Sequence, residues 1–161
     1  MISSNLQKAL NEHINKEIYS AYYYLAMSAY CEEIKMSGAA HWFRSQSGEE
    51  WGHAMKMFAY VNDRGGRVEL MAIEKPPVSF ASLLDVFKKT LEHERAVTAS
   101  IGNLYNLTAQ ENDYPTQSFL KWFIDEQVEE EKTASELVDQ LTMLGDSPAG
   151  LIMLDRHLAS R

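Results

Sequence analysis

One stretch without helical period, Arg67–Ser79 (RVELMAIEKPPVS), decides how the rest of this chain can fold. On both sides of it apolar residues recur every three or four positions. The helical pattern covers about Leu6–Glu33 and Gly38–Asp63 before the stretch, then about Phe80–Ala109 and Pro115–Leu144 after it. A Pro-Pro pair cannot continue a helix, because proline lacks the N–H and clashes with the preceding turn. An extended loop of about 14 residues reaches ~46 Å at ~3.3 Å per residue. A helix of about 28 residues is ~42 Å long at ~1.5 Å per residue. The loop can therefore travel the full length of the helix it leaves, and the second and third helices then run parallel. The two other connections, IKMSG and QENDYP, are short and make antiparallel neighbours. Ser3 or Ser4, Ser37 and Ser79 are candidate N-caps. Gly65-Gly66 and Gly145 are stop signals. DSPAG starts a short fifth helix over about 147–158, and Leu151, Leu154 and Leu158 form its apolar edge. That edge can bury against other copies of the chain, with packing on its own bundle as the alternative. The expectation is an all-α fold, one domain over 1–161, with a four-helix bundle over about 4–144, one long crossover and a short C-terminal helix.

The apolar stripes carry polar breaks at one depth. They read Leu6, Leu10, His13, Glu17, Tyr24, Ser28; Phe43, Gln46, Glu50, His53, Met57, Tyr60; Leu84, Phe87, Leu91, Glu94, Thr98, Ile101, Tyr105; and Phe119, Phe123, Gln127, Glu130, Ala134, Leu137, Leu141. Each break begins ~20 Å from the start of its helix, near the midpoint, at ~1.5 Å per residue. The midpoint stays level whether neighbours run up or down, so all four breaks can meet in one layer. Glu17 to Glu50 and Glu94 to Gln127 are both 33 residues, and the two halves are offset by 77. Burying a carboxylate costs several kcal/mol even after relaxation. Glu17, Glu50, Glu94 and Glu130 would carry four negative charges with no lysine or arginine on the stripes at that depth. Two divalent cations would cancel that charge. Carboxylates with one imidazole suit iron, manganese or zinc, and open carboxylate-rich positions suit iron meeting oxygen.

Composition narrows the remaining classes. A net charge of −8 leaves no basic footprint for nucleic acid. A single cysteine, Cys31, rules out an internal disulfide framework and reads as a small half-buried residue. The N-terminus MISSNLQKAL has neither basic flank nor apolar core of a signal peptide. No apolar run approaches the ~18 residues that a membrane span needs. The expectation is a cytoplasmic protein without membrane or nucleic-acid partners. His41, His93 and His157 show no partner pattern, and His13 reads as an ordinary core or surface histidine, with a place supporting Glu17, one turn on, as the alternative. Trp122 reads as core packing, with a place near the polar layer as the alternative. A metal-free helical structural or interaction protein is the alternative of another class; in it the E-x-x-H pair is chance and EQVEEEK, Glu126–Lys132, is a solvated face.

Glu17, Glu50-x-x-His53, Glu94 and Gln127-x-x-Glu130, over the full chain, resemble the non-haem ferritins of bacteria and archaea. Ferritin-like carboxylate proteins take one Glu from each of two helices and Glu-x-x-His from the other two; here Gln127-x-x-Glu130 replaces the second pair. Bacterioferritins resemble the full double motif and bind haem through a Met between the Glu and His of the second helix. That position is Gly52, which argues against the alternative of a haem-binding iron store. The resemblance implies iron storage with a ferroxidase centre that oxidises Fe²⁺ with O₂. Glu17, Glu50 and His53 would hold one iron and Glu94 and Glu130 the other, with Glu50 bridging and Gln127 beside them. Glu49, Glu126 and Glu129, with Glu130, match a third iron site, and Tyr24 matches a tyrosine next to the centre. The family assembles as a hollow shell of 24 subunits with octahedral symmetry.

Overall fold

The computed structural model describes residues 1–161. It contains five helices: α1 (Ser4–Glu33), α2 (Ser37–Asp63), α3 (Leu83–Gln110), α4 (Tyr114–Leu144) and α5 (Pro148–Leu158). α1 packs along α2, α3 along α4, and α1 also meets α3, all antiparallel. The crossover runs along α1 as its reach allows. At its start Arg67 N donates to Gln7 Oε1 at 2.8 Å and Asn11 Nδ2 donates to the Arg67 carbonyl at 2.9 Å. At its end Phe80 lies edge-on to Tyr30 near the last turn of α1, with ring centroids 5.2 Å apart. The loop thus spans α1 from one end to the other, and α2 and α3 are parallel.

Helix starts follow local chemistry, with two corrections. Ser3, Ser82, Asp113 and Ser147 each accept a hydrogen bond from a backbone N–H of the first turn. Ser82, not Ser79, caps α3, because Phe80 leaves the helical path to pack on Tyr30. The buried line of α3 also differs from the expected stripe. Leu83, Val86, Thr90, Val97 and Leu104 join Phe87, Glu94 and Ile101 inside, while Leu84, Leu91, Thr98 and Tyr105 flank it half-buried. α3 faces α1 and α4 at once, so its buried face is wider than one stripe.

The 77-residue repeat reaches into the turns. Lys35 and Asn112, 77 apart, both take positive φ, at 65° and 56°. The bonds Met36 N to Cys31 O and Asp113 N to Thr108 O, both 2.9 Å, are the same bond in the two halves. The repeat fails at the next step. Asp113 caps α4, but its counterpart Met36 has no side-chain oxygen, and Ser37 lies inside α2 rather than at its cap. α5 supplies the missing acceptor: Gly38 N and Ala39 N donate to Asp155 Oδ2 and Oδ1 at 3.0 and 2.8 Å. The approach needs glycine, since a Cβ on Gly38 would lie 1.8 Å from the Asp155 carbonyl oxygen. We expect Asp155→Ala to lower stability by about 1 kcal/mol, the usual cost of losing a cap. A shift in the urea midpoint reads it; no shift would show that water caps α2 as well. α5 also corrects the expectation for its apolar edge. Leu154 and Leu158 are buried in the chain's own core, with Leu151 packed against it. The faces left exposed are those of Ile152 and Met153.

The core is divided. One apolar cluster, with Tyr24, Met27, Phe43, Phe87 and Leu141, fills one end of the bundle. A second, with Leu10, Ile14, Met57, Ile101 and Phe123, fills the other. Between them sit Glu17, Gln46, Glu50, His53, Glu94, Gln127 and Glu130, all buried. The polar layer expected at mid-depth therefore exists. Cα atoms of α2 and α4 stay more than 8 Å apart across it, so long side chains bridge that seam.

Candidate metal centre

Helix geometry sets this site. Glu50 and His53, three apart on α2, share its inner face. His53 Nδ1 is 3.4 Å from Glu50 Oε2 and 3.9 Å from Glu17 Oε2 of α1. One donor atom from each of Glu17, Glu50 and His53 lies within 4.8 Å of the others, a separation one cation can bridge. Across the layer Glu94 accepts from Tyr24 Oη and, at 3.0 Å, from Gln127 Nε2. Gln127 Nε2 also lies 3.2 Å from Thr98 Oγ1. Gln46 Nε2 donates to Glu130 Oε2 at 2.6 Å and lies 3.5 Å from Glu50 Oε1.

Charge in this layer is unbalanced. No lysine or arginine pairs with Glu17, Glu50, Glu94 or Glu130. Burial, then the neighbouring Glu17 and Glu94 charges, push the Glu50 carboxyl well above the usual range. Burial raises Glu94 despite its bonds from Tyr24 and Gln127. Burial and the Glu94 charge raise Glu130 to about 7. Glu17 goes the other way. Burial opposes its charge, but the hydrogen bond from His13 and the nearby His13 and His53 outweigh it, so its carboxyl is lowered. Tyr24, wholly buried beside Glu94 and Glu50, is held well above the usual phenol value. Glu17 Oε2 is the one buried side-chain oxygen with no hydrogen-bond partner, and it lies on the side of His53. An orphaned carboxylate oxygen beside an imidazole and a second carboxylate is the donor set a divalent cation completes.

The residues expected in the layer, Glu17, Glu50, His53, Glu94, Gln127 and Glu130, are all buried, and Tyr24, in the adjoining apolar cluster, reaches it through Glu94. Glu49 and Glu129 are exposed and Glu126 is half-buried, on the same helices as Glu50 and Glu130. Residues 7–144 match the family profile described as a ferritin-like domain. The chain belongs to the ferritin family. It is 41% identical over 161 residues to the bacterial non-heme ferritin of Staphylococcus aureus (strain USA300), covering 100% of this chain and 97% of that relative. It is 44% identical over 161 residues to the bacterial non-heme ferritin of Staphylococcus epidermidis, with the same coverage. Among solved structures, the open pore ferritin of the hyperthermophilic archaeon Archaeoglobus fulgidus superposes with a TM-score of 0.99 at 46% identity, covering 99% of this chain and 98% of that one. A closed form of that ferritin, engineered by site-directed mutagenesis, superposes with the same TM-score and identity over 100% and 98%.

Within this ferritin four residues support the layer: Gln46 and Arg161, to which the sequence reading assigned no role, and His13 and Trp122, for which that place was only the alternative reading. His13 Nε2 donates to Glu17 Oε1 at 2.7 Å, and Ser100 Oγ lies 3.2 Å from the other ring nitrogen. His13 thus fixes the carboxylate beside His53 rather than being an ordinary core histidine. Its four-residue spacing to Glu17 is the signal behind that alternative. Gln46, one turn before Glu50, gives the same signal. Trp122 is not core either: it is 37% exposed, lies edge-on to His53 at 5.3 Å and carries Lys56 Nζ 3.5 Å over its ring. Arg161 reaches Gln46 and Glu49 from 115 and 112 residues away, a contact with no local signal. His93, unassigned, packs on Tyr23 and Tyr24, and burial lowers it to about 4. Gly52 lies on the exposed side of α2 and offers no thioether for haem.

Proposed function

We propose that this ferritin stores iron: it oxidises Fe²⁺ with O₂ at two metal positions in the middle of each subunit and keeps the Fe³⁺ as mineral inside a hollow homo-oligomeric shell. The observation that carries the reading is the buried layer of four glutamates, none paired with a lysine or arginine, with its orphaned Glu17 Oε2. Glu17, Glu50 and His53 take one Fe²⁺, and Glu94 and Glu130 take the other, with Glu50 between them. Each Fe²⁺ gives one electron to O₂, and the metal supplies that redox chemistry. The protein's own groups do the rest. His13 orients Glu17, Gln127 and Tyr24 hold Glu94, and Gln46 holds Glu130, so the carboxylates meet incoming cations already aimed. Incoming cations offset the burial that disfavours the ionised forms of Glu50, Glu94 and Glu130. Glu49, Glu126 and Glu129, with Glu130, form a third iron position.

The domain is the whole of 1–161, and the shell has 24 subunits in octahedral arrangement. An exposed apolar groove supports assembly: Ile18, Tyr22, Leu25, Trp51 and Ile73 line it on the outer side of α1 and α2. Trp51, Leu25 and Tyr22 are each about half exposed, at 51%, 48% and 49%. An apolar patch of this kind fits a self-complementary interface with a second copy. No helix is long and apolar enough to cross a membrane, which suits a shell working in the cytoplasm. Sedimentation combined with an anaerobic Fe²⁺ titration tests the whole reading. The expected result is one large particle that binds two or three Fe²⁺ per chain before any mineral forms. A small particle without saturable binding would favour a metal-free structural bundle.

A further inference from the structure

Arg161, three residues beyond α5, folds back onto α2 beside the carboxylate layer. Its guanidinium donates to Gln46 Oε1 at 2.7 Å and to Glu49 Oε2 at 2.8 Å. The same group lies 4.7 Å over the ring of Trp42. His41 Nε2 donates to the Arg161 carbonyl at 2.9 Å, so the segment is fastened at its backbone as well. Gln46 is the amide that donates to Glu130 Oε2 at 2.6 Å. One guanidinium therefore engages Glu49 directly and Glu130 through Gln46. These are two of the four carboxylates assigned above to the third metal position.

We propose that Arg161 is a tethered cation that competes with divalent metal for Glu49, so that metal enters the third position only by displacing the C-terminal segment. The inference rests on the metal-centre reading above. A guanidinium held on Glu49 Oε2 disfavours a metal ion on the same carboxylate, because the two positive charges repel at that distance. The forked contact is specific, since guanidinium donors match an amide and a carboxylate side by side. It is also displaceable. The Arg161 and Glu49 side chains are 28% and 46% exposed, and an ion pair that wet is weak. Once Arg161 leaves, the Gln46 amide loses the acceptor contact that orients it and can release Glu130. Occupation of the third position is thereby coupled to the buried pair, through one amide. Asp155 capping α2 keeps α5 docked while only the last residues move.

Zn²⁺ is a redox-silent probe for this. Calorimetric titration of the metal-free, full-length protein should resolve tight sites and one weaker site. Arg161→Gln is expected to tighten the weaker site by about 10-fold, the factor of one charge-assisted hydrogen bond in a partly wet setting, and to change the tight sites, which it reaches only through the Gln46 amide, by less. Arg161→Lys keeps the charge without the fork and should fall between the two. Glu49→Gln should remove the weaker site whichever residue stands at 161. Hydrogen exchange gives a readout independent of affinity. Saturating Zn²⁺ should speed exchange at residues 159–161 in the wild type and have no such effect in Glu49→Gln. Unchanged affinity in Arg161→Gln, an equal change at every site, or unchanged exchange on Zn²⁺ saturation would each overturn the proposal. A wild-type protein that bound no Zn²⁺ at all would overturn the metal centre itself, and this inference with it.

Discussion

Glu50→Ala combined with His53→Ala is expected to abolish rapid stoichiometric Fe²⁺ oxidation while leaving the particle assembled. The two residues supply donors on one face of α2, and His53 Nδ1 lies within 4 Å of carboxylate oxygens of both Glu17 and Glu50. Loss of even an outer support of a metal ligand typically costs ~10–100-fold in affinity or activity, so loss of two ligands should slow the fast phase by more than ~100-fold. Assembly should survive, because the groove lined by Tyr22, Leu25 and Trp51 faces away from the layer. The folded subunit should survive too. Removing Glu50 takes away a carboxyl whose ionisation burial opposes. Stopped-flow absorbance after mixing with Fe²⁺ and air, beside sedimentation of the same sample, gives both answers. Fast oxidation retained by the double variant would sink the assignment of these two residues.

A second large effect concerns the metal-free protein and pH. Folded Glu130 holds its proton to about 7, against an ordinary value of 4.5. A carboxyl whose folded value is raised stabilises the fold below the ordinary value, and that contribution is lost as pH rises toward the folded value. For Glu130 the loss between about pH 4.5 and 7 is about 3 kcal/mol per subunit, at ~1.4 kcal/mol per unit. Glu50 and Glu94 are also raised and act in the same direction. Glu17 is lowered, so its contribution is present above the ordinary value and fades as pH falls through the folded one. The metal-free subunit should therefore be more stable at pH 5.5 than at pH 7.5. Bound divalent cations favour the ionised carboxylates, so saturating Zn²⁺ should erase or reverse the difference. Urea midpoints at the two pH values, with chelator or with Zn²⁺, measure this directly. Glu130→Gln should reduce the slope of the metal-free protein. A metal-free midpoint that rises from pH 5.5 to 7.5 would show that Glu17 and the histidines outweigh the three raised carboxyls.

Both effects come from a trade between stability and binding. A layer of apolar side chains at the depth of Glu17, Glu50 and Glu94 would join the two apolar clusters into one core. The chain instead keeps its clusters apart and holds ionisable groups between them. The strain is set locally, by who donates to whom. Against burial, the hydrogen bond from His13 lowers Glu17, whereas burial and the neighbouring carboxylates raise Glu50, whose nearest donor, Gln46 Nε2, is 3.5 Å away. The Glu17–Glu50–His53 side therefore pairs a carboxyl whose anion the protein favours with one whose anion a cation would favour.

What the sequence determined follows from the stiffness of helices. A fixed rise of ~1.5 Å per residue turns residue counts into depths, so four polar breaks near mid-helix had to meet in one layer. A 3.6-residue turn puts Glu50 with His53, and Gln127 with Glu130, on one face. The reach of an extended loop settled the crossover, and a serine beside a periodic run, Ser3, marked the cap of α1. All of these are local rules, or lengths, that need no knowledge of neighbours. Tertiary structure decided whatever depends on which surfaces dock. Ser82 displaced Ser79 as the cap of α3 because Phe80 found Tyr30. α3 buried a wider face than one stripe because two helices flank it. α5 turned its leucines onto its own bundle and lent Asp155 to α2, where the repeat had left Met36 in the cap position. Arg161 came to rest on Gln46 and Glu49 across more than 110 residues of chain. Such contacts leave no period in the sequence, since their spacing along the chain is set only by how the folded elements happen to close on one another.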